Sequence, residues 1–436
     1  YGISMSSTER SCGFPAKNPL SSYWLKEPHP LASFRSSETV PDRCDIAVIG
    51  TGLAGVAAAH HILSASEFGT TKPILVLLEA REACTGATGR NGGHLKPAPW
   101  VAHRMMTDFG PDDTAEMVAH IFDQLEALKD VIKKENIDCE LSVTRSFDIY
   151  FDEAHAHVMK EFVLTHKAEG APWAEHMRWI DAPESDQISG VKNTKGAISV
   201  PAVSLWPYKL VTALLARVIE LGGKLYTQTC VEKVEESADY TTLKTSRGEL
   251  KASKTIFATN AYTAALLPQF EGVITPFKGQ NSHLAPRYAN YLNPRPDNGI
   301  ILGGAKWTYE DKIDRTEWWN STDDTKLINN AATEHFDSVM ETHFQGWKNA
   351  KAHHDAIWTG IMGETPDALP HIGKVPGSSN QWLLAGFNGS GMSLILTASQ
   401  GIARMTVKDV DYEETGLPRL FKSTPERLAV KHSGFA

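Results

Sequence analysis

The fold of this chain is decided by the stretch Asp45-Ile-Ala-Val-Ile-Gly-Thr-Gly-Leu-Ala-Gly-Val-Ala-Ala-Ala59, which is followed by Pro73-Ile-Leu-Val-Leu-Leu-Glu79. The apolar start, rich in Ile and Val, predicts a buried parallel strand. Three glycines then supply a tight turn, room for a pyrophosphate and close packing of a helix: Gly50, Gly52 and Gly55. The stretch therefore predicts a nucleotide-binding βαβ unit.

An Ala-rich segment and an acidic residue complete this unit. Residues 56–63 are predicted to form a helix whose free N-terminal amides and positive dipole end face the phosphates. The second strand ends in Glu79, where a carboxylate accepts hydrogen bonds from a ribose. Strand, glycines, helix and acid together distinguish a nucleotide site from an ordinary glycine-rich turn.

The chain has 436 residues, of which 42% are hydrophobic, and a net charge of -9. This length exceeds what one hydrophobic core usually organises, so two closely packed domains are expected. Lys and Arg are scattered without a basic block, which argues against nucleic acid and against an anionic membrane as partners. The apolar runs fall short of the ~18 residues of a membrane-spanning helix.

The five cysteines are far apart and lie in no CxxC or zinc-like spacing: Cys12, Cys44, Cys84, Cys139 and Cys230. This usage fits a reducing compartment. The sequence has no charged-then-apolar leader, and its last residues, Ser433-Gly-Phe-Ala436, are not an SKL signal. We expect a soluble, cytoplasmic protein with Met5 as its natural start.

The predicted fold class is α/β (α+β), with a discontinuous Rossmann-type domain and a second domain built on a mainly antiparallel sheet. The nucleotide domain is assigned to residues 45–104, 199–268 and 357–415, and the second domain to residues 105–198 and 269–356. Residues 1–44 form an arm rich in Pro and Ser, which is expected to cross the surface in irregular form. Residues 416–436 form a C-terminal tail.

Periodicity assigns the main elements. Apolar residues at helical spacing predict helices over residues 112–136 and 207–221. β-Branched and aromatic runs predict strands over residues 147–151, 224–234, 255–260, 273–284 and 299–304. Residues 382–386 form a further buried strand, which leads through a glycine turn into an apolar helix ending near Met405.

Two further glycine-rich segments favour FAD over NAD as the bound dinucleotide. Residues 86–94, Gly-Ala-Thr-Gly-Arg-Asn-Gly-Gly-His, follow Glu79 closely, and their backbone can approach a large planar ring. In this loop, Arg90 and Asn91 offer hydrogen bonds to the ring. The turn before the C-terminal helix presents amides and a positive dipole end, which suit negative charge on a reduced flavin.

These segments resemble the FAD-dependent D-amino-acid oxidase and sarcosine oxidase superfamily, most closely its gamma-glutamylputrescine oxidoreductase-like branch. The resemblance spans nearly all of residues 45–410. Besides the fingerprint and Glu79, it rests on Gly89-Arg-Asn-Gly-Gly93, Ala258-Thr-Asn-Ala-Tyr262, Pro276-Phe-Lys-Gly-Gln280, Thr365-Pro-Asp367 and Gly386-Phe-Asn-Gly-Ser-Gly-Met392. It implies oxidation of a C–N bond of an amine or amino acid, with hydride passed to flavin N5 and hydrolysis of the imine product.

The resemblance also implies the residues of the cofactor site. On the ADP half they are Gly50, Gly52, Leu53, Ala54, Gly55, Glu79, Ala80, Arg81 and, beside the adenine, Val231. Near the ring they are Gly86, Ala87, Thr88, Arg90, Asn91, Gly92, Gly93, His94 and Leu95. Later segments add Thr259, Asn260, Gly360, Gly386, Asn388, Gly389, Ser390, Gly391 and Met392.

The mode of attachment follows from the same resemblance. Monomeric sarcosine oxidases carry a flavin-linking cysteine six residues before the position of Pro366, where this chain has Gly360. The histidine link of the dimethylglycine dehydrogenases would align near Arg90. Non-covalent FAD is therefore expected.

Departures from the family pattern concern the substrate. Sarcosine oxidases hold the substrate carboxylate with a lysine two residues after the last turn glycine, whereas Met392 and Ser393 follow Gly391 here. Residues 298–303 are also more apolar than the tyrosine-bearing strand of those relatives. The resemblance thus favours a small-molecule amine with a longer or hydrophobic body. Without a second nucleotide fingerprint or a CxxC pair, molecular oxygen is the expected electron acceptor.

The side chains that perform the chemistry stay open between functional and structural interpretations. A lysine near flavin N5 would disfavour a protonated substrate and stabilise developing superoxide. The candidates for this role are Lys278 and Lys306, and a structural role is equally open for each. Glu364 and Asp367 are interpreted as turn and capping residues rather than bases. Adjacent histidines on a helix point to different faces, so no metal site is predicted. Large aromatic residues form either a cage for the amine or part of the core: Trp206, Tyr208, Tyr262, Trp307 and Trp358.

Three functions stay open from the sequence alone. They are an FAD amine oxidase that releases hydrogen peroxide, a biosynthetic flavin oxidase or dehydrogenase for a specialised natural-product amine, and a flavin-binding scaffold without turnover. The intact flavin segments argue against the scaffold. The sequence predicts no oligomeric state and is compatible with a monomer.

Overall fold

The computed structural model describes residues 13–64, 72–285, 293–310, 315–349 and 353–432. Within these ranges the strands are β1 (Arg43–Ile49), β2 (Leu75–Leu78), β3 (His94–Leu95), β4 (Ser142–Tyr150), β5 (Arg178–Ile180), β6 (Gly196–Ser204), β7 (Lys224–Tyr226), β8 (Val231–Glu236), β9 (Thr241–Thr245), β10 (Gly248–Phe257), β11 (Thr275–Ala285), β12 (Asn293–Pro294), β13 (Ile300–Gly304), β14 (His353–Glu364), β15 (His371–Lys374) and β16 (Gln381–Ala385). The α-helices are α1 (Leu53–Ser64), α2 (Pro99–Phe109), α3 (Pro111–Lys134), α4 (Glu153–Ala168), α5 (Glu184–Ser189), α6 (Pro207–Glu220), α7 (Thr263–Leu266), α8 (Asn330–His343), α9 (Ile395–Lys408) and α10 (Pro425–Ala429).

A central sheet carries the glycine fingerprint. Its strand order is β15-β16-β10-β1-β2-β7, and the β8–β9 hairpin continues from β10. β1 runs parallel to both β10 and β2, so the carboxyl ends of all three strands meet at one edge. In an open α/β sheet, ligands bind outside this edge.

Both faces of the central sheet are buried. Ile46 and Val48 of β1 pack on one side with α1, α3, α6 and α9, whereas Ala47 and Ile49 face a second core that includes the β8–β9 hairpin and α7. Because both faces are covered, β1 and β2 are apolar over their length instead of alternating. The predicted α/β fold class is confirmed.

Besides the central sheet, the described residues form two antiparallel sheets. One has the order β12-β13-β11-β14, and the other has the order β3-β6-β4 with β5 also paired to β6. α8 packs on the first sheet, and α4 packs on the second. The mainly antiparallel character was predicted, but the division into two sheets was not.

Several boundaries differ from the sequence interpretation. Residues 224–234 form two strands, because the chain turns between Tyr226 and Val231 with Gln228 at φ +51°. β3 and most of β6 fall within residues assigned to the nucleotide domain, yet they pair with each other and β6 pairs with β4. Strand pairing therefore places β3 and β6 in an antiparallel sheet and not in the central sheet. The helices predicted over residues 112–136 and 207–221 are present as α3 and α6.

The described part of the N-terminal arm is irregular and mostly exposed or half-buried, in keeping with the sequence, but two of its aromatic residues are buried in the core. Tyr23 and Trp24 are 5% and 0% exposed and belong to the largest hydrophobic core. The Trp206 indole donates to the carbonyl oxygen of Trp24 at 2.8 Å, and Trp24 donates to that of Asn91 at 2.6 Å. Tyr23 and Trp24 therefore anchor the arm to the core. Cys12 lies outside the described residues.

The C-terminal tail is also tied to the fold. Arg427 of α10 pairs with Asp367 through contacts of 2.8 and 3.2 Å, and it donates to three backbone carbonyl groups. Burial by itself raises the pKa of Asp367, but the hydrogen bonds and positive charge of Arg427 outweigh burial, so the pKa lies below its usual value. Within the described ranges, no helix is both long and apolar enough to cross a membrane.

Candidate cofactor site

The glycine turn after β1 brings three segments of backbone into contact. Gly50 has φ +105°, and a Cβ there would lie 2.6 Å from the carbonyl oxygen of Ala258 at the end of β10. A Cβ on Gly55 would overlap the carbonyl oxygen of Gly50, and a Cβ on Gly52 would lie 3.1 Å from the Thr88 hydroxyl. Strand, turn and helix approach this closely because no side chain intervenes.

Glu79 links the glycine turn to the turn after β2. One carboxylate oxygen accepts from the amide and the hydroxyl of Thr51, at 3.0 and 2.7 Å, and the other accepts from the amide of Arg81 at 2.9 Å. Glu79 also lines the cavity at this edge. The predicted ribose acceptor thus has a second role in holding the turn, which sequence reasoning missed.

A groove with about 950 Å³ of unfilled space, part of it open to solvent, lies at the carboxyl edge of the central sheet. Its walls come from β1, β2, β10 and the loops that follow them. Of the predicted cofactor residues, it is lined by Gly50, Gly52, Leu53, Ala54, Glu79, Ala80, Arg81, Gly86, Ala87, Thr88, Val231, Thr259 and Asn260. These residues surround one space although they span more than 200 positions of the chain.

A second cavity of about 560 Å³ adjoins the first and shares four wall residues with it: Ala87, Thr88, Phe387 and Ile395. Arg90, Asn91, Gly391 and Met392 line one side, and the opposite side is a row of small residues on the antiparallel sheet, Gly279 of β11 facing Gly360 of β14. The two spaces form one groove, and glycines line much of its smaller end. An extended dinucleotide with a planar ring fits this shape.

Arg90 and Asn91 line the second cavity, but their polar groups are used elsewhere. The buried Arg90 guanidinium donates to the carbonyl oxygens of Thr85, Thr359 and Leu20 at 2.8, 2.8 and 2.7 Å. Burial lowers its pKa to about 10. The Asn91 amide bonds within its own loop, to the carbonyl oxygen of Thr88 and the amide of Gly93. Three of the five guanidinium N–H donors of Arg90 and one of the two amide donors of Asn91 are therefore engaged within the protein, where they hold the loop in shape.

The start of α9 is held by a polar pair on α3. The Gln124 amide donates to the carbonyl oxygen of Met392 at 2.9 Å, and its oxygen accepts from the amide of Thr397 at 2.9 Å. The His120 ring lies 3.1 Å from the carbonyl oxygen of Leu394. Sequence reasoning missed both residues. The available signal was two polar residues four positions apart beside the apolar stripe of α3.

Asn260 and Asn388 shape the same edge from other loops. The Asn260 side chain accepts from the amides of Gly386 and Phe387, and the Asn388 side chain accepts from the amide of Thr365. Both residues have positive φ, +43° and +51°. They join the ends of β10, β14 and β16.

Several predicted cofactor residues lie outside both cavities. They are Gly55, Gly92, Gly93, His94, Leu95, Gly386, Asn388 and Ser390. Gly93 has a packing role, because a Cβ there would lie 2.7 Å from the Trp24 ring.

The structure does not bring the candidate lysines to the groove. Lys278 is next to Gly279 on β11, and alternation places it on the face of Gln280, which contacts α8. Burial lowers the pKa of Lys278. The Lys306 ammonium lies 4.9 and 5.4 Å from the ring centres of Phe277 and Trp318.

The candidate aromatic residues are mostly core residues. Trp206 and Trp358 are 2% and 0% exposed and line neither cavity, and the Trp358 indole donates to the carbonyl oxygen of Arg90 at 2.8 Å. Tyr208 is buried as well. Tyr262 lines the larger cavity, on the nucleotide side. The side chain of Trp307 lies outside the described part of the chain.

Two partly buried histidines make the stability depend on pH. Burial lowers the pKa of His61 and of His94 from 6.5 to about 4. Unfolding lets both rings bind protons, so their contribution to stability is fully present above pH 6.5 and is lost as the pH falls toward 4. Urea titrations should show a slope of up to about 1.4 kcal/mol per pH unit from each histidine in this window.

His61→Gln is expected to make this slope shallower. His157→Gln on α4 is the control, because His157 already meets water in the folded protein. Equal slopes in the parent and His61→Gln would contradict the assignment to the buried ring.

Comparison with known proteins agrees with the geometry. The family described as DAO, FAD dependent oxidoreductase, matches residues 45–405. The chain is 22% identical over 414 residues to gamma-glutamylputrescine oxidoreductase from Escherichia coli (strain K12), covering 90% of each chain. It is 24% identical over 379 residues to glycine oxidase from Pseudomonas aeruginosa, covering 80% of this chain and 91% of that protein.

A solved structure shows the same fold. L-amino acid deaminase from Proteus vulgaris superposes with a TM-score of 0.67 at 16% identity, covering 91% of this chain and 98% of the other. Fingerprint, groove and family match together confirm the resemblance and FAD as the cofactor. The chain belongs to the DAO family of FAD-dependent oxidoreductases.

Proposed function

We propose that the protein is an FAD-dependent oxidase of amines or amino-acid derivatives. A C–H bond beside the substrate nitrogen gives up its hydride, the nitrogen gives up a proton, and the imine hydrolyses to a carbonyl compound and an amine. FAD, when bound, would supply the hydride acceptor and a route for the electron pair to oxygen, with hydrogen peroxide as the product. The names of the relatives, an oxidoreductase of a gamma-glutamylated amine, a glycine oxidase and an amino-acid deaminase, support this class.

One observation carries the proposal. The groove ends in a second cavity, where the loop over residues 87–91 and the Gly389–Met392 turn face the antiparallel sheet across a glycine-lined gap. The backbone of the Gly50–Gly55 turn would bind the phosphates, and the amino-terminal end of α9 would face the pyrimidine edge of the ring. Gly360 offers no nucleophile for a covalent link, which supports non-covalent FAD.

The substrate end of the groove favours an amine without a simple amino-acid head. Ser393, which stands where sarcosine oxidases carry a lysine, donates its hydroxyl to the carbonyl oxygen of Lys96 at 3.2 Å. Lys96 itself pairs with Asp148. A substrate carboxylate would therefore find no unpaired lysine at this turn.

Anaerobic titration tests the proposal. The protein reconstituted with FAD is mixed with a diamine, an N-acylated diamine, N-methylglycine, glycine and an aliphatic L-amino acid, and its yellow absorbance is followed before air is admitted. We expect the N-acylated diamine to bleach the flavin fastest and air to restore the colour with release of peroxide. Bleaching without peroxide would overturn the oxidase assignment. Failure of every amine, with dithionite still able to bleach the flavin, would overturn the substrate class.

Met362 is expected to set the size of the substrate. Its methyl carbon lies 2.7 Å from the position of a Cβ on Gly279, and its sulfur lies 3.5 Å from that of a Cβ on Gly389. The side chain thus spans the gap between sheet and turn. Met362→Ala should raise kcat/KM for amines with bulky bodies, relative to small ones, by about tenfold or more, because it removes several methylene-sized groups from the wall.

The control for this variant is Met106→Ala on α2, which removes a methionine outside both cavities. Peroxide release from the two substrate series gives the ratio, and absorbance verifies equal FAD content. An unchanged ratio in Met362→Ala would place the substrate body elsewhere.

A further inference from the structure

We infer that residues 14–24, which precede the region matched by the family, complete the cofactor site and hold bound FAD in the groove. We call this segment the N-terminal strap. Phe14 and Pro15 line the larger cavity together with Glu79, Arg81 and Gly86. Phe14 keeps 37% of its surface exposed, so its ring forms part of the rim of the groove.

The strap is bonded to residues 81–91, which overlap the loop that we propose approaches the flavin, residues 86–94, called the flavin loop below. The guanidinium groups of Arg81 and Arg90 donate to the carbonyl oxygens of Ala16 and Leu20, at 3.3 and 2.7 Å. The Ser22 hydroxyl donates to the carbonyl oxygen of Gly89 at 2.6 Å, and Trp24 donates to that of Asn91. Four bonds therefore connect the strap to residues 81–91. Displacement of the strap would free the same groups that set the shape of this loop.

A buried ion cluster fixes the middle of the strap. The Asp324 carboxylate is fully buried and lies 2.9 Å from Arg81 and 3.5 Å from Arg90. The backbone oxygen of Asp324 also accepts from the amide of Leu20 at 2.8 Å. Because Asp324 fixes the positions of both arginines, the strap binds to guanidinium N–H groups that are already in place rather than to flexible side chains.

The two ends of the strap are held unequally. Tyr23 and Trp24 are buried, and the Tyr23 ring stacks on His283 with 3.9 Å between ring centres. Phe14 and Pro15 reach the groove from a segment that carries more exposed residues. Opening would therefore hinge near Ser22 and lift the Phe14 end, and FAD would leave only after this step. The strap thus slows release of FAD, whichever amine the enzyme oxidises.

Release of FAD tests this role in the full-length holoenzyme. Free FAD fluoresces more than bound FAD, so its appearance after dilution gives the rate. Ser22→Ala is expected to raise this rate by about three- to tenfold, because one hydrogen bond to the flavin loop is lost. Phe14→Ala should act in the same direction.

Two matched variants provide controls. Ser37→Ala removes another arm hydroxyl, which bonds to Thr39 and Tyr226 away from the groove. Phe151→Ala removes a phenylalanine that is 48% exposed and lines neither cavity. Both should release FAD at the parent rate. Equal rates in all four variants would overturn the inference.

Hydrogen exchange on the unmodified protein gives an independent measurement if a strap variant fails to fold. Amides of residues 14–22 should become more protected when FAD is added. ADP alone should protect them as well, because Phe14 and Pro15 line the nucleotide side of the groove. Unchanged protection of these amides with FAD would contradict the role of the strap.

Discussion

Replacement of Gly55 by Ala should abolish FAD binding and lower the free energy of unfolding by about 3 kcal/mol. The new Cβ would overlap the carbonyl oxygen of Gly50 and lie 3.1 Å from a methyl group of Val48. A backbone oxygen in a turn at φ +105° has no rotamer with which to avoid the clash. Helix α1 must therefore move off β1, which displaces the amides that we propose face the phosphates. Urea titration and flavin absorbance after reconstitution measure the two effects.

Gly92→Ala is the matched control. Gly92 belongs to the flavin loop, but a Cβ there would meet no atom within 4 Å. We expect this variant to bind FAD and to unfold like the parent. A Gly55→Ala protein with normal FAD content would show that the turn does not require close packing of the helix.

Replacement of Asp324 by Asn should lower the free energy of unfolding by about 3–5 kcal/mol. The carboxylate is the buried partner of Arg81 and Arg90, so its loss leaves two guanidinium groups in the interior without a counter-charge. The strap and the flavin loop both depend on these arginines, and we expect FAD to be lost at lower urea than the bulk of the fold. Flavin fluorescence and circular dichroism, recorded in the same titration, separate the two transitions.

Asp323→Asn is the control for this charge. Asp323 is adjacent in sequence, but its carboxylate is partly exposed and bonds to the amide and hydroxyl of Thr325. Its replacement should cost about 1 kcal/mol or less. Similar losses in the two variants would mean that burial between the arginines is not the cause.

Local patterns were sufficient for the elements of the nucleotide domain. The glycine spacing, the apolar runs of β1 and β2 and the terminal Glu79 are contiguous signals, and each depends on the geometry of only a few residues. For the same reason the turn before α9 was recognisable from sequence. The division of residues 224–234 into two strands was missed, because residues with high β propensity continue through the turn. The turn arises because β7 pairs with β2 whereas β8 pairs with β9.

Side-chain roles in the flavin loop were less accessible. Arg90 stands in the middle of a glycine-rich segment, and its polarity suggested a contact with the ring. Its partners, the carbonyl oxygens of Leu20 and Thr359, lie 70 and 269 positions away, so no local pattern contains them. Lys278 and Trp358 were ambiguous for the same reason, because strand alternation assigns a face only after the sheet has a known neighbour.

The sequence by itself determined the dinucleotide site and the parallel core, because glycine spacing and strand hydrophobicity act over distances shorter than one βαβ unit. The choice of FAD over NAD came from two further glycine-rich segments, residues 86–94 and 386–392. Only the tertiary structure decided that Tyr23 and Trp24 of the arm are buried, that Arg81, Arg90 and Asp324 form one ion cluster, and which side chains reach the groove. These contacts join residues hundreds of positions apart. They arise when buried polar groups must find partners in the packed interior, and that requirement is met by the whole fold rather than by any one segment.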